Sequence, residues 1–201
     1  MAVLPDAPIG VMGIGRIGKL LVWLYASKKQ QKEIVIATGR KTGTSLEDLA
    51  TYFEYDSTYG SFNRFIGGFS GKSAVEIKDG HVYLNGVKLI WLNEPDYRVP
   101  GKIPWDTFGV NVVFDTTGKM LDPTRNDENS LRGHLNHAKK VIVTAPFKVK
   151  DKGKQIPDDA VTVVGGVNFD KYDAGKHVII SNASCTTNCC APPIKALVDH
   201  F

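Results

Sequence analysis

Strand-length apolar runs alternate with helical stretches along this chain, and that alternation is the strongest constraint on its fold. Ile9-Gly10-Val11-Met12 reads as a short buried strand, and residues 17–27 follow it with Leu20, Leu21, Leu24 and Tyr25 at helical spacing. Glu33-Ile34-Val35-Ile36-Ala37 is a second strand. Thr44-Ser45-Leu46-Glu47 predicts a capping box that opens a helix running towards Phe53. Strand–helix–strand–helix order implies an α/β fold, a parallel sheet with helices on both faces. The middle changes character. Ala74-Val75-Glu76-Ile77-Lys78, His81-Val82-Tyr83-Leu84 and Val87-Lys88-Leu89-Ile90-Trp91 are short strands, separated by the hairpin-turn dipeptides Asp79-Gly80 and Asn85-Gly86. They predict an antiparallel insertion. The parallel pattern resumes at 110–114, 141–143, 161–164 and 178–180, with a helix predicted over 130–138 and a polar loop over 148–159.

Composition narrows the function classes. The chain has 201 residues, of which 42% are hydrophobic, and a formal net charge of +4 spread along its length, which favours a solvated surface over a nucleic-acid patch. No apolar run approaches the ~18 residues that cross a bilayer. The start, Met1-Ala2-Val3-Leu4-Pro5-Asp6, has neither a basic segment nor an apolar one of the secretory kind, so the expectation is a cytoplasmic protein. All three cysteines fall at Cys185, Cys189 and Cys190. A disulfide framework would spread them through the fold, and a zinc site would need paired ligands, so a reducing compartment and no metal are expected.

Gly13-Ile14-Gly15-Arg16-Ile17-Gly18 fits G-x-G-x-x-G in the setting that gives the pattern meaning, after a strand and at the start of a helix. Gly13 permits a tight turn, and Gly15 lets the backbone approach a pyrophosphate held by the helix start. The expectation is a Rossmann-type, doubly wound dinucleotide site. A ribose-binding carboxylate belongs at the end of the second strand. Here that position is Thr38, followed by Gly39-Arg40-Lys41. Small residues followed by two cations suit a 2′-phosphate, so the cofactor is read as NAD or NADP, with NADP bound at least as well.

Asn182-Ala183-Ser184-Cys185-Thr186-Thr187-Asn188-Cys189 follows the last strand and opens a helix. Ligands of open α/β sheets gather at the carboxyl ends of strands, and a helix start favours a thiolate. Cys185 is therefore the candidate nucleophile. Ser184 and Thr186 flank it with hydroxyls, and the helix-start N–H groups suit an oxyanion or phosphate. Cys189, one turn on, is expected to pack in the core.

The segment from Ser181 to Cys189 resembles the active-site signature of the glyceraldehyde-3-phosphate dehydrogenase family and its close relative, erythrose-4-phosphate dehydrogenase. So do Gly10 to Gly18, Tyr55-Asp56-Ser57-Thr58-Tyr59-Gly60, Ile103-Pro104-Trp105, Thr116-Thr117-Gly118, Thr144-Ala145-Pro146 and Gly165-Gly166-Val167-Asn168, in family order from about residue 9 to the end. The resemblance implies attack of the Cys185 thiolate on a phosphorylated aldehyde, hydride transfer to the nicotinamide, and release of an acyl phosphate by inorganic phosphate. It implies Arg16 and Ile17 on the pyrophosphate, Thr117, Gly118 and Thr144 along the cofactor, Ser184 and Thr186 on the phosphate, and a homotetramer. Three departures stand out. Met12 replaces a usual Asn, Arg40 lies near the usual ribose-binding Asp, and Asn93-Glu94-Pro95-Asp96-Tyr97-Arg98 lacks the family's Arg-Asp-Pro.

The attack needs a base, and the resemblance implies a histidine well downstream of the cysteine. His200 is the only histidine after Cys185, and helical geometry over fifteen residues puts it about 22 Å away. His81, His134 and His137 are expected on solvated surface, and His177 at the far end of the sheet from the thiol. The expectation is an NAD(P)-binding domain over 1–183 and, over 184–201, the first helix of a catalytic domain whose remainder is missing, inactive by itself. The alternative is a short non-catalytic dinucleotide-binding or interaction protein; erythrose 4-phosphate is the alternative substrate.

Overall fold

The computed structural model describes residues 7–38, 43–68, 74–151 and 153–201. The elements follow the predicted order. Strand β1 (Ile9–Met12) leads to helix α1 (Arg16–Ser27), strand β2 (Glu33–Ala37) and helix α2 (Leu46–Glu54). A two-stranded ribbon, β3 (Tyr55–Asp56) and β4 (Gly60–Ser61), precedes the short helix α3 (Phe62–Gly67). The meander β5 (Val75–Lys78), β6 (His81–Leu84) and β7 (Val87–Leu92) comes next, and then the strands β8 (Val112–Asp115), β9 (Lys140–Val143), β10 (Ala160–Thr162) and β11 (Ile179–Ser181). Helix α4 (Cys185–His200) ends the chain.

Among the described residues the main sheet runs β10-β11-β9-β8-β1-β2-β7-β6-β5. All pairs from β10 to β7 are parallel, and only β5, β6 and β7 pair antiparallel. The predicted insertion is thus an edge meander whose last strand rejoins the parallel sheet beside β2. Its turns form as the dipeptides dictate, with positive φ at Asp79, Gly80, Asn85 and Gly86, as a type I′ turn requires.

Alternation along β1 divides the core. Ile9 and Val11 face α1 and α2, packing with Val22, Trp23, Leu49 and Phe53, all fully buried in the two helices. Met12 faces the other way, towards Ile103, Trp105 and Val110. That second face is covered by short 3-10 turns over Pro95–Arg98, Pro100–Lys102, Trp105–Phe108 and Leu131–Asn136. The helix predicted over 130–138 is one of these turns. In α1 the buried face is rotated from the predicted one: Val22, Trp23 and Ala26 are inside, while Leu24 is exposed. The Trp23 Nε1–H donates to the Phe53 carbonyl at 2.8 Å and locks α1 to α2.

The α2 cap forms one residue later than predicted. Ser45, not Thr44, is the cap residue, and Asp48, not Glu47, completes the box. The Asp48 carboxylate accepts from both the Thr44 and Ser45 N–H groups, which fixes that register. Helix α4 has no buried residue and contains Pro192 and Pro193. No helix among the described residues is long and apolar enough to cross a membrane.

Candidate functional site

The glycine turn joins β1 to α1 at the carboxyl end of the sheet. Gly13 sits at φ +83°, where only glycine is unstrained. A Cβ on Gly18 would run into the Gly13 carbonyl and the Thr116 hydroxyl, so the third glycine permits close packing of helix on strand. A Cβ on Gly15 would meet nothing within 4 Å. It would project into open space beside the start of α1. Gly15 also caps α1 without a side chain, whereas α2 and α4 are capped by Ser45 and Ser184. The first N–H groups of α1 are therefore left to a ligand or to water. Gly15, Arg16 and Ile17 are exposed around this opening.

The turn is held from two sides. The Thr116 hydroxyl donates to the Gly13 carbonyl, and the Tyr52 hydroxyl to that of Ile14. Below it, the ammonium of buried Lys19 lies 3.9 Å over the Tyr52 ring, donates to the Tyr55 carbonyl at 2.8 Å and reaches Asp56 at 3.5 Å. Burial pulls the Lys19 pKa below its ordinary value, against the opposing pull of Asp56. The Thr58 N–H, the Tyr59 N–H, and the charges of Lys19 and Arg16 hold Asp56 below the usual carboxylate range. The Tyr55–Gly60 segment, which carries part of the resemblance, thus supports the glycine turn.

At the end of β2, Thr38 stands where a ribose-binding acid is usual. Its hydroxyl accepts from the Trp91 indole at 3.1 Å and donates to Asn93 at 2.8 Å. Arg40, with Gly39 and Lys41, lies outside the described residues.

At the end of β8, Asp115 is fully buried. It accepts from the Thr117 N–H at 2.9 Å and the Thr117 hydroxyl at 2.6 Å. Thr144 joins the same strand end, donating from its N–H to the Asp115 carbonyl at 3.1 Å. His134 was expected on the surface. It is fully buried between Trp105 and Asp115, because the 3-10 turn carrying it closes the second face of the sheet. His177 is also buried, its ring accepting from the Asp173 N–H.

Cys185 is the first residue of α4. The Ser184 hydroxyl caps the helix, accepting from the Thr187 N–H at 3.0 Å. Ala183 ahead of it is buried at φ +60°, a strained setting for alanine, with its N–H donated to buried Ser181. Cys185 and Ser184 line an open cleft of about 550 Å³ together with Thr144, Gly165 and Asn182. The structure thus brings Thr144, expected along the cofactor, and the candidate nucleophile to one cleft. Gly165 is a wall residue that sequence reasoning left without a role. Thr186 is exposed on the first turn of α4, outside the residues lining this cleft. None of the five histidines lines the cleft. Because α4 is continuous, His200 stands about 22 Å from Cys185 along the axis. Cys189, expected in the core, is exposed, as are Cys185 and Cys190. No residue of the helix that carries them is buried among the described residues.

Residues 7–123 match the family model described as glyceraldehyde 3-phosphate dehydrogenase, NAD binding domain. The chain belongs to the glyceraldehyde 3-phosphate dehydrogenase family. Glyceraldehyde-3-phosphate dehydrogenase 2 of Bacillus subtilis (strain 168) is 37% identical over 194 residues, covering 96% of this chain and 48% of that protein. Glyceraldehyde-3-phosphate dehydrogenase of Salmonella typhimurium and glyceraldehyde-3-phosphate dehydrogenase A of Escherichia coli (strain K12) are each 38% identical over 193 residues, 96% of this chain and 49% of theirs. The chain spans about half the length of the curated relatives it matches. The glycine turn, the Thr38 position and the Thr117 segment all lie within the matched NAD-binding region.

Proposed function

We propose that this chain supplies the cofactor-binding part and the nucleophile of a phosphorylating aldehyde dehydrogenase that converts glyceraldehyde 3-phosphate to 1,3-bisphosphoglycerate. The observation that carries the reading is the shared cleft of Cys185 and Thr144. The exposed first turn of α1, capped by a glycine whose missing side chain leaves open space, supports a pyrophosphate there. On this reading Gly13, Gly15, Arg16, Ile17 and Gly18 hold the pyrophosphate, and Thr117, Gly118 and Thr144 line the groove beyond it.

The chemistry then follows from the position of the thiol. The Cys185 thiolate adds to the aldehyde carbon, forming a carbon–sulfur bond and a thiohemiacetal. The N–H groups at the start of α4 face the oxyanion that develops. Bound NAD supplies the hydride acceptor, and loss of hydride leaves the carbon as a thioester on Cys185. Inorganic phosphate, held beside Ser184 at the cleft wall with Thr186 on the adjoining first turn of α4, attacks the thioester, releases the acyl phosphate and returns the thiolate. A base must take the thiol proton, and no histidine lines the cleft. The 201 residues therefore bind cofactor but turn over poorly by themselves. The lack of any buried residue in α4 supports a boundary at 183/184, with 184–201 as the first helix of a second domain; the homotetramer rests on the family resemblance alone.

The neutral Trp91–Thr38–Asn93 relay at the end of β2 supports acceptance of NADP at least as well as NAD, because Thr38 stands where a ribose-binding carboxylate is usual. Calorimetric titration with both cofactors, followed by a turnover assay with glyceraldehyde 3-phosphate and phosphate, tests the reading. Binding with little turnover is the expected result. Tighter NAD binding overturns the NADP preference, robust turnover overturns the argument about the base, and no binding of either cofactor overturns the whole.

A further inference from the structure

We propose that His134 is a positioning residue for the nicotinamide half of the cofactor groove, acting through Asp115 on the Thr117–Gly118 segment. The proposal rests on the cofactor reading above. Its geometry is independent of it.

The proton positions follow from elementary hydrogen-bond chemistry. The Trp105 Nε1–H lies 3.1 Å from His134 Nδ1. An indole nitrogen donates and never accepts, so Nδ1 must present its lone pair. The neutral ring then carries its proton on Nε2. That N–H faces Asp115 Oδ2 at 3.4 Å. The other carboxylate oxygen, Oδ1, receives the N–H and the hydroxyl of Thr117. Trp105, His134 and Asp115 are all 0% exposed, so no water competes for these bonds. The neutral donors of His134 and Thr117 hold the Asp115 carboxylate, and each one helps to fix its rotamer. The relay from Trp105 through His134 and Asp115 to Thr117 therefore runs from the covered face of the sheet to the strand end.

A core histidine needs only to be satisfied. This one spends its second nitrogen on a carboxylate whose remaining oxygen organises a loop. The place of that loop matters. Strand order reverses between β1 and β8, and an open α/β sheet binds its dinucleotide across such a point. The adenosine half lies over β1 and β2, so the segment after β8 serves the nicotinamide half. Gly118, at φ +66°, follows Thr117 directly in that segment.

The test compares NAD with ADP, which lacks the nicotinamide riboside, by calorimetry on the 201-residue chain and its variants. His134→Leu removes the donor to Asp115. It is expected to weaken NAD about tenfold, the worth of one hydrogen bond to a charged group, with ADP changed by less than about twofold. His134→Gln, which offers an N–H near the Nε2 position, is expected to restore most of the NAD affinity. Trp105→Phe, which leaves the ring tautomer unfixed, gives the same selective loss in smaller measure and carries the test if His134→Leu does not fold. Parallel weakening of NAD and ADP, or NAD binding unchanged in folded His134→Leu, overturns the proposal. A wild-type chain that binds neither ligand overturns the cofactor reading itself, and the role of His134 with it.

Discussion

Two glycines three residues apart should respond oppositely to the same substitution. A Cβ at Gly18 would press on the Gly13 carbonyl and lie 2.5 Å from the Thr116 hydroxyl, so helix and strand must separate. Overpacking of this kind costs about 2 kcal/mol, which at this chain length lowers Tm by about 4–8 °C. Gly15 differs. It adopts φ −58° and ψ −174°, a conformation open to alanine, and its Cβ would meet nothing within 4 Å. Gly15→Ala gains about 0.4–1 kcal/mol by restricting the unfolded chain and loses a similar amount because alanine is a poor helix cap. Stability should therefore move by less than about 0.5 kcal/mol. Its effect is on the ligand. The added methyl group occupies the approach to the first N–H groups of α1, and loss of one or two hydrogen bonds to a charged phosphate weakens NAD by about ten- to a hundredfold. Thermal melts and calorimetric titration of both variants separate the effects. A Gly15→Ala chain that keeps full NAD affinity would show that this turn does not hold the pyrophosphate.

Other expectations follow from single contacts. The Asp56 pKa is depressed in the folded chain, so its contribution to stability is present above the ordinary carboxylate range and is lost as pH falls through that range and below it. Melts between neutral and acid pH should show a shallower loss in Asp56→Asn than in the parent, and an unchanged slope refutes the assignment. Trp23→Phe strands the Phe53 carbonyl in the core and should cost about 1–3 kcal/mol by urea denaturation; no cost would mean the α1–α2 lock is unimportant. On α4, Leu197 and Val198 are 59% and 74% exposed. Replacing both with Ser should leave Tm unchanged and reduce self-association in light scattering, whereas a large fall in Tm would mean the helix is packed after all.

The parallel sheet was legible because its strands are continuous β-branched runs, buried on both faces, and its turns because Asp79-Gly80 and Asn85-Gly86 can hardly do otherwise. The glycine turn and the helix-start position of Cys185 were legible as short, local patterns. What stayed hidden was set by distant partners. His134 lies in a polar 3-10 turn with no periodic signal, and Trp105 and Asp115, 29 and 19 residues away, decide its burial. The α2 cap shifted because the shorter Asp48 side chain closes on two N–H groups at once. Helix α3, six residues long, leaves too short a pattern to register. Cys189 is exposed and not in the core because helical spacing says which face a residue shares, not whether anything covers that face.

On the proposed function, Cys185 is a nucleophile that shares a cleft with the cofactor groove. The most direct test is peptide-resolved alkylation of the three exposed thiols at neutral pH, with and without NAD. Cys185 should react faster than Cys189 and Cys190, and NAD should slow Cys185 selectively. Equal rates at all three thiols, unaffected by NAD, would contradict this reading.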